Sequence, residues 1–249
     1  MKPLLAAIQF LTIIPFPKSF VSGEKELKKC VPYFPIVGLL IGIVVAACDH
    51  AINLIFPLFP ASVITVIAMT GISGGLHMDG LADTADGFFS ARPCERVLVI
   101  MRDSHTGVMG VIAVVFVIIL KVSVLVSLSS PLRFGIIILM PLAGRCSLVM
   151  MMTALSYVRS EGGLATAFGG EKSWVNVFWV ASFLAITGWV AAQEIGLVVC
   201  FSSLFIGALF LMFCSRKIGG YTGDTLGAIC EITEVIPALT AVALRGIIN

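Results

Sequence analysis

Long apolar runs dominate this sequence and restrict what it can fold into. Six of them are rich in Val, Ile, Leu, Ala and Phe, and they cover residues 34–56, 58–75, 107–128, 133–155, 174–192 and 195–214. A shorter seventh run covers 235–248. A helix needs roughly 20 mostly apolar residues to cross a bilayer, and backbone groups in lipid must pair within their own segment. The runs therefore predict an all-α, polytopic integral membrane protein with six or seven transmembrane helices.

Composition excludes several other classes of protein. The chain is 59% hydrophobic and 12% charged, whereas soluble domains are about half apolar and a quarter charged. The net charge is only +2 and no basic block is present, so we expect no nucleic-acid partner. The seven cysteines include no C-x-x-C pair, which argues against a zinc site or a disulfide framework.

The connections between runs predict the orientation of the chain. Four of them are long and carry 11 of the 16 Lys and Arg residues, and these are 17–33, 76–106, 156–173 and 215–234. Alternating crossings place all four on one face, and the positive-inside rule makes that face cytoplasmic. We therefore expect one transmembrane domain over residues 1–249, with its charged connections on the cytoplasmic face. We interpret residues 1–16 as a re-entrant or interfacial segment, because the apolar part is short for a span.

Three charged or titratable residues lie toward the far ends of their spans. Asp49, His50 and Lys121 are expected to reach the outer interface rather than to carry chemistry.

The stretch GGLHMDGLADTADG, residues 74–87, gathers Asp79, Asp83 and Asp86 at spacings of i, i+4 and i+7. On a helix these side chains fall within about 60° of one another, so the three carboxylates repel. A hard divalent cation such as Mg2+ would offset that repulsion and can be shared with a substrate phosphate. The alternative is a solvated acidic face. His77 is a candidate general base or phosphate contact, with a polar role at the helix entry as the alternative.

A second motif, RDSHTG at 102–107, precedes the third run. Arg102 is a candidate phosphate ligand. Asp103 is a candidate for a further metal ligand or for a partner of Arg102, and Ser104 is a candidate substrate contact. An ordinary basic flank with a helix cap is the alternative.

The third motif, RKIGGYTGDTLGAICEITE at 216–234, combines a glycine-rich stretch with acidic residues. Gly220, Thr222 and Gly223 would expose backbone N–H groups that suit a phosphate. Asp224 and Glu231 follow on one helix face, although a simple glycine-rich turn is the competing interpretation.

Arg145 lies near the middle of the fourth run. An intramembrane arginine needs a partner or a cavity, so both an ion pair and an anion-binding role are open.

Together these motifs resemble the cobalamin synthase family, the adenosylcobinamide-GDP ribazoletransferases. The resemblance rests on GGLHMDGLADTADG, RDSHTG and GGYTGDTLGA, with FLTIIPFP and PIVG near the start and the GR pair at 144–145. It implies a Mg2+-dependent enzyme that joins adenosylcobinamide-GDP to α-ribazole or its 5′-phosphate and releases GMP. It also implies that residues 1–249 form a single catalytic domain in the cytoplasmic (inner) membrane. Self-association, or association with other enzymes of the corrinoid pathway, is left open.

The resemblance and the residue chemistry together give a hypothesis for the site. The aspartates Asp79, Asp83 and Asp86 would hold Mg2+ on the pyrophosphate, and Arg102 and Arg145 would neutralise phosphate charge. The glycine stretch 219–223 would hold a phosphate or ribose. The candidates for the general base, or for ligands of a second metal, are Asp103, Asp224 and Glu231.

Two other functions compete with this hypothesis. A CDP-alcohol phosphotransferase also expels a nucleoside monophosphate from a helix-borne aspartate cluster, but its pattern D-G-x-x-A-R is absent. A cation transporter would explain acidic residues in a helical bundle, but its site should lie near mid-membrane.

Overall fold

The structure is a computed structural model that describes residues 2–15, 29–128, 130–159 and 173–248. Within these ranges the chain forms nine α-helices, a single 3-10 turn at Val31–Tyr33 and no strand. The helices are α1 (Lys2–Leu11), α2 (Phe34–Asn53), α3 (Leu58–Ile72), α4 (Leu76–Phe88), α5 (Cys94–Ile100), α6 (Val108–Val126), α7 (Ser130–Ala154), α8 (Trp174–Ile218) and α9 (Gly223–Ile248). The predicted all-α fold is confirmed.

Five helices of the described chain, α2, α6, α7, α8 and α9, are long and apolar enough to cross a bilayer. The bent pair of α3 and α4 raises this number to six if the pair is one span. Helix α8 has 45 residues and would be about 68 Å long if straight, more than twice the thickness of a hydrocarbon core. It is broken at Ala192 and Gln193, where the backbone leaves the helical region. Its two arms therefore match the fifth and sixth apolar runs, and the membrane-embedded architecture is confirmed.

The arms of α8 fold back against each other at Gly188 and Gly196. A Cβ atom on Gly196 would overlap the backbone of Gly188, so the two backbones are in direct contact. The Cys200 thiol also donates a hydrogen bond to the Leu184 carbonyl across the hairpin, at 3.2 Å. Small residues at such a crossing are what close packing of helices in a membrane requires.

Helix α7 lies at the centre of the bundle. It packs against α2, α8 and α9, and most of its side chains are buried. Helix α1 packs at the edge, where Phe10 stacks on Phe34 with ring centroids 5.8 Å apart. At ten residues α1 is about 15 Å long and too short to span, and the interpretation of 1–16 as re-entrant or interfacial stays a prediction because residues 1 and 16 lie outside the described ranges.

Asp49 was expected at the outer interface, and this is wrong. The Arg133 guanidinium on α7 donates to both Asp49 oxygens, at 2.9 Å from Nε and 2.5 Å from Nη2. Thr65 on α3 donates to the same carboxylate at 2.6 Å. Both members of the ion pair are buried, whereas His50 is exposed as expected.

The expectation for Lys121 is also wrong. Its ammonium is fully buried and donates to Glu231 and Glu234 on α9, each at 2.7 Å. Arg145 on α7 donates to the second oxygen of Glu234. Two cations and two anions therefore neutralise one another inside the bundle. The sequence alone does not predict these ion pairs, because the paired residues lie on different helices and far apart in the chain.

Several connections meet at one end of the bundle. The Ile13 amide donates to the Ile72 carbonyl at 2.8 Å, which joins the end of α1 to the end of α3. Residues 156–158 pair with Tyr221, through Tyr221 N to Ser156 O at 3.0 Å and Val158 N to Tyr221 O at 3.1 Å. Lys18, Lys25, Lys28 and Lys172, which supported the orientation, lie outside the described residues.

We expect Gly196→Val to separate the arms of α8. The added side chain cannot be placed without moving backbone, so the overpacking should cost about 1–3 kcal/mol and lower the apparent melting temperature in detergent by about 3–10 °C. The matched control is Gly71→Val, at a helical glycine where a Cβ atom meets nothing within 4 Å. Equal melting temperatures for the two variants would contradict the hairpin contact.

Candidate functional site

The first and third sequence motifs come together where α4 crosses α9. A Cβ atom on Gly80 would lie 2.7 Å from the Asp224 carbonyl oxygen, and one on Gly227 would lie 2.9 Å from the His77 carbonyl oxygen. Glycine at both positions lets the two backbones touch. The crossing therefore places the aspartates of α4 beside Asp224 at the start of α9.

The direction of α4 is set by a sharp turn after α3. Gly74 and Gly75 have φ values of +62° and +74°, in the left-handed region that glycine adopts readily. Helix α4 consequently runs at 89° to α3, and Asp79 in its first turn is exposed.

The carboxylates of Asp79 and Asp83 form a region of excess negative charge. Asp83 is half-buried and is repelled by Asp79, Asp224 and Asp86, while Arg159 supplies the opposing positive charge. Neither Asp79 nor Asp83 makes a side-chain hydrogen bond or ion pair with another described residue. Both side chains are therefore available to a ligand.

Asp86 has a different environment from the other two aspartates. Its carboxylate accepts hydrogen bonds from the backbone N–H groups of Gly107 at 2.6 Å and Gly110 at 2.9 Å. These N–H groups belong to the start of α6, so Asp86 caps that helix and offsets its positive end. A Cβ atom on either glycine would lie 2.5 Å from an Asp86 oxygen, which explains the glycine that ends RDSHTG.

Asp224 is held by Arg159, a residue that sequence reasoning treated only as loop charge. The Arg159 Nη2 donates to Asp224 Oδ2 at 2.5 Å. The backbone pairing of residues 156–158 with Tyr221 brings Arg159 to this point. No sequence signal identifies Arg159, because the pairing joins two connections that are distant in the chain.

The glycine-rich stretch before α9 is mostly used for structure. Thr222 and Thr225 cap the helix reciprocally: Thr225 N donates to Thr222 Oγ1 at 3.2 Å and Thr222 N donates to Thr225 Oγ1 at 2.8 Å. Gly220 packs directly on the Ser156 carbonyl, where a side chain has no room. Gly223 is exposed and borders a cavity, so it is the residue of this stretch best placed for a substrate.

The RDSHTG motif lies on the exposed connection between α5 and α6, where Arg102, Asp103 and Ser104 are all exposed. Asp103 Oδ1 lies 2.7 Å from His105 Nδ1, and this hydrogen bond lowers the pKa of the Asp103 carboxyl. The substrate and catalytic roles predicted for these three residues stay predictions.

A cavity of about 470 Å3 opens beside the crossing. It is bounded by α1, α4, α7 and α9, with the lining residues Ala6, Gln9, Phe10, Leu76, His77, Asp79, Gly80, Leu148, Met152, Gly223, Asp224, Leu226 and Gly227. Its size is that of a pocket for a small organic ligand. Predicted site residues from two separate motifs, Asp79 and Asp224, thus border one cavity.

Three other predicted residues lie deeper. Arg145 pairs with Glu234 and Glu231 pairs with Lys121, so both are engaged in the buried ion-pair network. His77 is 3% exposed, and its Nδ1 has no hydrogen-bond partner among the described residues. The ion-pair alternative for Arg145 is present in the structure, while the phosphate role of Arg145 and the catalytic role of Glu231 stay predictions.

Asp79 at the mouth of the cavity and Asp83, one turn further along α4, fit a hard divalent cation. Among the described residues, no three His, Cys, Asp or Glu side chains have the arrangement of a metal site. Mg2+ is commonly held by only one or two carboxylates together with substrate phosphates, and the carboxylates of Asp79 and Asp83 are both unengaged. The assignment of Mg2+ to Asp79, Asp83 and Asp86 stays a prediction, with Asp86 already bound to the start of α6.

Comparison with known proteins decides the family. A family model described as cobalamin-5-phosphate synthase matches residues 3–242. This chain belongs to the cobalamin-5-phosphate synthase family. The membership confirms the resemblance found in the sequence motifs and makes the chain a transferase of cobalamin biosynthesis.

Curated relatives of the family cover almost the whole chain. The adenosylcobinamide-GDP ribazoletransferase of Geotalea daltonii is 35% identical over 243 residues, which are 96% of each chain. That of Desulforamulus reducens is 38% identical over 93% of this chain and 92% of its own. The adenosylcobinamide-GDP ribazoletransferase of Clostridium novyi is 37% identical over 99% of this chain and 98% of its own length. No solved structure matches the chain.

The capping role of Asp86 can be separated from a metal role. We expect Asp86→Ala to destabilise the protein by about 1–2 kcal/mol through loss of the α6 cap, while Asp86→Asn, whose amide oxygen reaches as far as the carboxylate, retains part of that stability. Thermal unfolding in detergent measures both variants. If Asp86→Ala unfolds at the wild-type temperature, the carboxylate does not stabilise α6.

Proposed function

We propose that this chain is a Mg2+-dependent transferase that joins adenosylcobinamide-GDP to α-ribazole, or to its 5′-phosphate, and releases GMP. The product is adenosylcobalamin or its 5′-phosphate. Membership in the family and the activity for which its relatives are named support this reaction. The observation that carries the location of the site is the cavity at the α4–α9 crossing, which two motifs border with Asp79 and Asp224.

The reaction breaks one phosphoanhydride bond and forms one phosphate ester bond. A ribose hydroxyl oxygen of α-ribazole attacks the phosphorus next to the aminopropanol group, the bond from that phosphorus to GMP breaks, and the hydroxyl proton passes to a base. Charge develops on the phosphate oxygens as GMP leaves, so positive groups near the pyrophosphate lower the barrier. When bound, Mg2+ would supply this charge stabilisation and orient the pyrophosphate.

In our proposal, different residues of the site bind the metal ion and accept the proton. Asp79 and Asp83 hold the metal ion, because their carboxylates are unengaged and face the same region. Of the three candidate bases, Asp224 borders the cavity, whereas Asp103 lies on an exposed loop and Glu231 is buried with Lys121. We therefore assign proton acceptance to Asp224, with Arg159 orienting it and balancing its charge.

The proposal places the cavity at the cytoplasmic face of the inner membrane. The positive-inside distribution of Lys and Arg supports this orientation. The joining of connections at one end of the bundle supports a single catalytic face. The family match gives no support to a CDP-alcohol phosphotransferase or a cation transporter.

We expect Mg2+-dependent release of GMP from the purified protein in nanodiscs when both substrates are present. Asp79→Asn and Asp83→Asn should each reduce kcat by about 100-fold or more, because they remove charged ligands of the ion that stabilises the leaving group. Quantification of GMP by chromatography, with and without EDTA, measures both effects.

The matched control is Glu95→Gln, which neutralises an exposed acid in the first turn of α5, outside the cavity. It should retain wild-type turnover. If the Asp79→Asn variant and the Asp83→Asn variant are both folded and both fully active, the metal assignment is overturned. If the folded wild-type protein releases no GMP, the proposed reaction is overturned.

A further inference from the structure

The cavity beside the α4–α9 crossing has two chemically different halves. The lining residues Gln9, Leu76, Asp79 and Gly223 are exposed and form its mouth. The lining residues Ala6, His77, Gly80, Leu148, Leu226 and Gly227 are buried and form its interior. Phe10, Met152 and Asp224 are half-buried and lie between the two. A ligand that enters therefore passes from an exposed mouth that carries Asp79 into a largely apolar interior.

The interior offers one polar side chain. Five of its six buried residues are Gly, Ala or Leu, and the sixth is His77. Phe10 and Met152 add an aromatic ring and a thioether, which pack well against flat aromatic groups. The Nδ1 of His77 is buried without a hydrogen-bond partner among the described residues. An unsatisfied buried polar atom costs free energy, so a ligand that pairs with it gains affinity.

We propose that this interior binds the base of the nucleoside substrate, an apolar fused-ring aromatic such as the dimethylated benzimidazole of α-ribazole, with His77 pairing to its free ring nitrogen. This inference rests on the proposed function and extends it to the recognition of one substrate. The benzimidazole of a riboside has one free hydrogen-bonding atom, and the interior has one polar side chain to meet it. Its methyl groups suit the apolar walls formed by Leu148, Met152 and Leu226.

Size and polarity argue against the other substrate in this cavity. A corrinoid ring with its adenosyl and nucleotide groups is far larger than a cavity of about 470 Å3. Guanine alone would fit, but it carries several donors and acceptors, and most would be left unpaired among Gly, Ala and Leu. The corrinoid substrate therefore presents its pyrophosphate at the mouth and does not enter the interior.

The placement also orients the reaction. With the base in the interior, the ribose lies at the mouth, where Asp79 and Asp224 border the cavity. The attacking hydroxyl is thus held beside the carboxylates that the proposed function assigns to the metal and the proton. Apolar burial of the base excludes water from that side and fixes the sugar, which is how positioning lowers a barrier.

The first test narrows the cavity from its half-buried wall and leaves the four residues of the mouth unchanged. Met152→Trp places a larger ring in the cavity, and Met150→Trp is the matched control, since Met150 lies on the same helix, is also half-buried and does not line the cavity. Binding of α-ribazole alone is measured by the fluorescence of its benzimidazole in nanodiscs. We expect Met152→Trp to raise the Kd for α-ribazole about tenfold or more and Met150→Trp to change it less than about twofold.

Turnover then separates the two substrates. In Met152→Trp the KM for α-ribazole should rise about tenfold, while the KM for adenosylcobinamide-GDP stays within about twofold of wild type. A rise in the KM for adenosylcobinamide-GDP alone would place the corrinoid substrate in the cavity and overturn the inference. If the wild-type protein turns over normally and Met152→Trp has the same KM for α-ribazole, the inference is overturned but the proposed function is not. Wild-type protein with no turnover overturns the proposed function.

A second test isolates the hydrogen bond to His77. His77→Phe keeps a flat ring and removes the polar atoms, so it should weaken binding of the benzimidazole riboside about tenfold. An indole riboside, in which CH replaces the free nitrogen, should bind His77→Phe and wild type within about twofold, because neither complex has the hydrogen bond. Equal losses for the two ribosides would assign His77 a purely structural role and overturn its pairing with the base.

Discussion

The contact of Gly80 with Gly227 is the interaction on which the rest of the site depends. It brings the backbone of α4 against that of α9, so that carboxylates from two distant motifs surround one cavity. The left-handed turn at Gly74 and Gly75 directs α4 toward this crossing. Asp86 then fixes the far end of α4 to the start of α6. The glycines of both motifs thus act chiefly through packing, while Asp79 and Asp83 remain unengaged and Asp224 is paired with Arg159.

Buried ion pairs hold the helices beneath the site in register. Lys121 on α6 and Arg145 on α7 meet Glu231 and Glu234 on α9, and Arg133 on α7 meets Asp49 on α2. Charge in the interior of a membrane protein is costly unless it is paired, and removal of one partner of a buried pair costs about 3–5 kcal/mol. These pairs therefore favour one arrangement of α2, α6, α7 and α9. His77 lines the cavity, and the charges of this ion-pair network act on its side chain. His77 therefore connects the packing of the bundle with the interior of the cavity.

The sequence predicts features that depend on composition and local spacing, and it fails where distant segments meet. The length and hydropathy of the apolar runs are enough to predict the membrane helices, and the sequence motifs are enough to identify the family. Lys121 and Asp49 were misplaced because a single charge within a span does not reveal which helix carries its partner. Arg159 was missed because a backbone pairing between two connections brings it to Asp224. The three aspartates do share a face of α4, but the spacing cannot tell that Asp86 faces the N-terminus of α6.

The most direct measurement of the central claim is GMP release by Gly227→Ala. A single Cβ atom at this position meets the backbone of α4 at His77 and Gly80, so α4 must move and carry Asp79 and Asp83 away from Asp224. The account predicts a folded protein with turnover reduced about 100-fold. Gly207→Ala, at a buried glycine whose new methyl group meets the Thr233 side chain at an ordinary 3.6 Å, should turn over like the wild type. Wild-type turnover by Gly227→Ala would contradict the account.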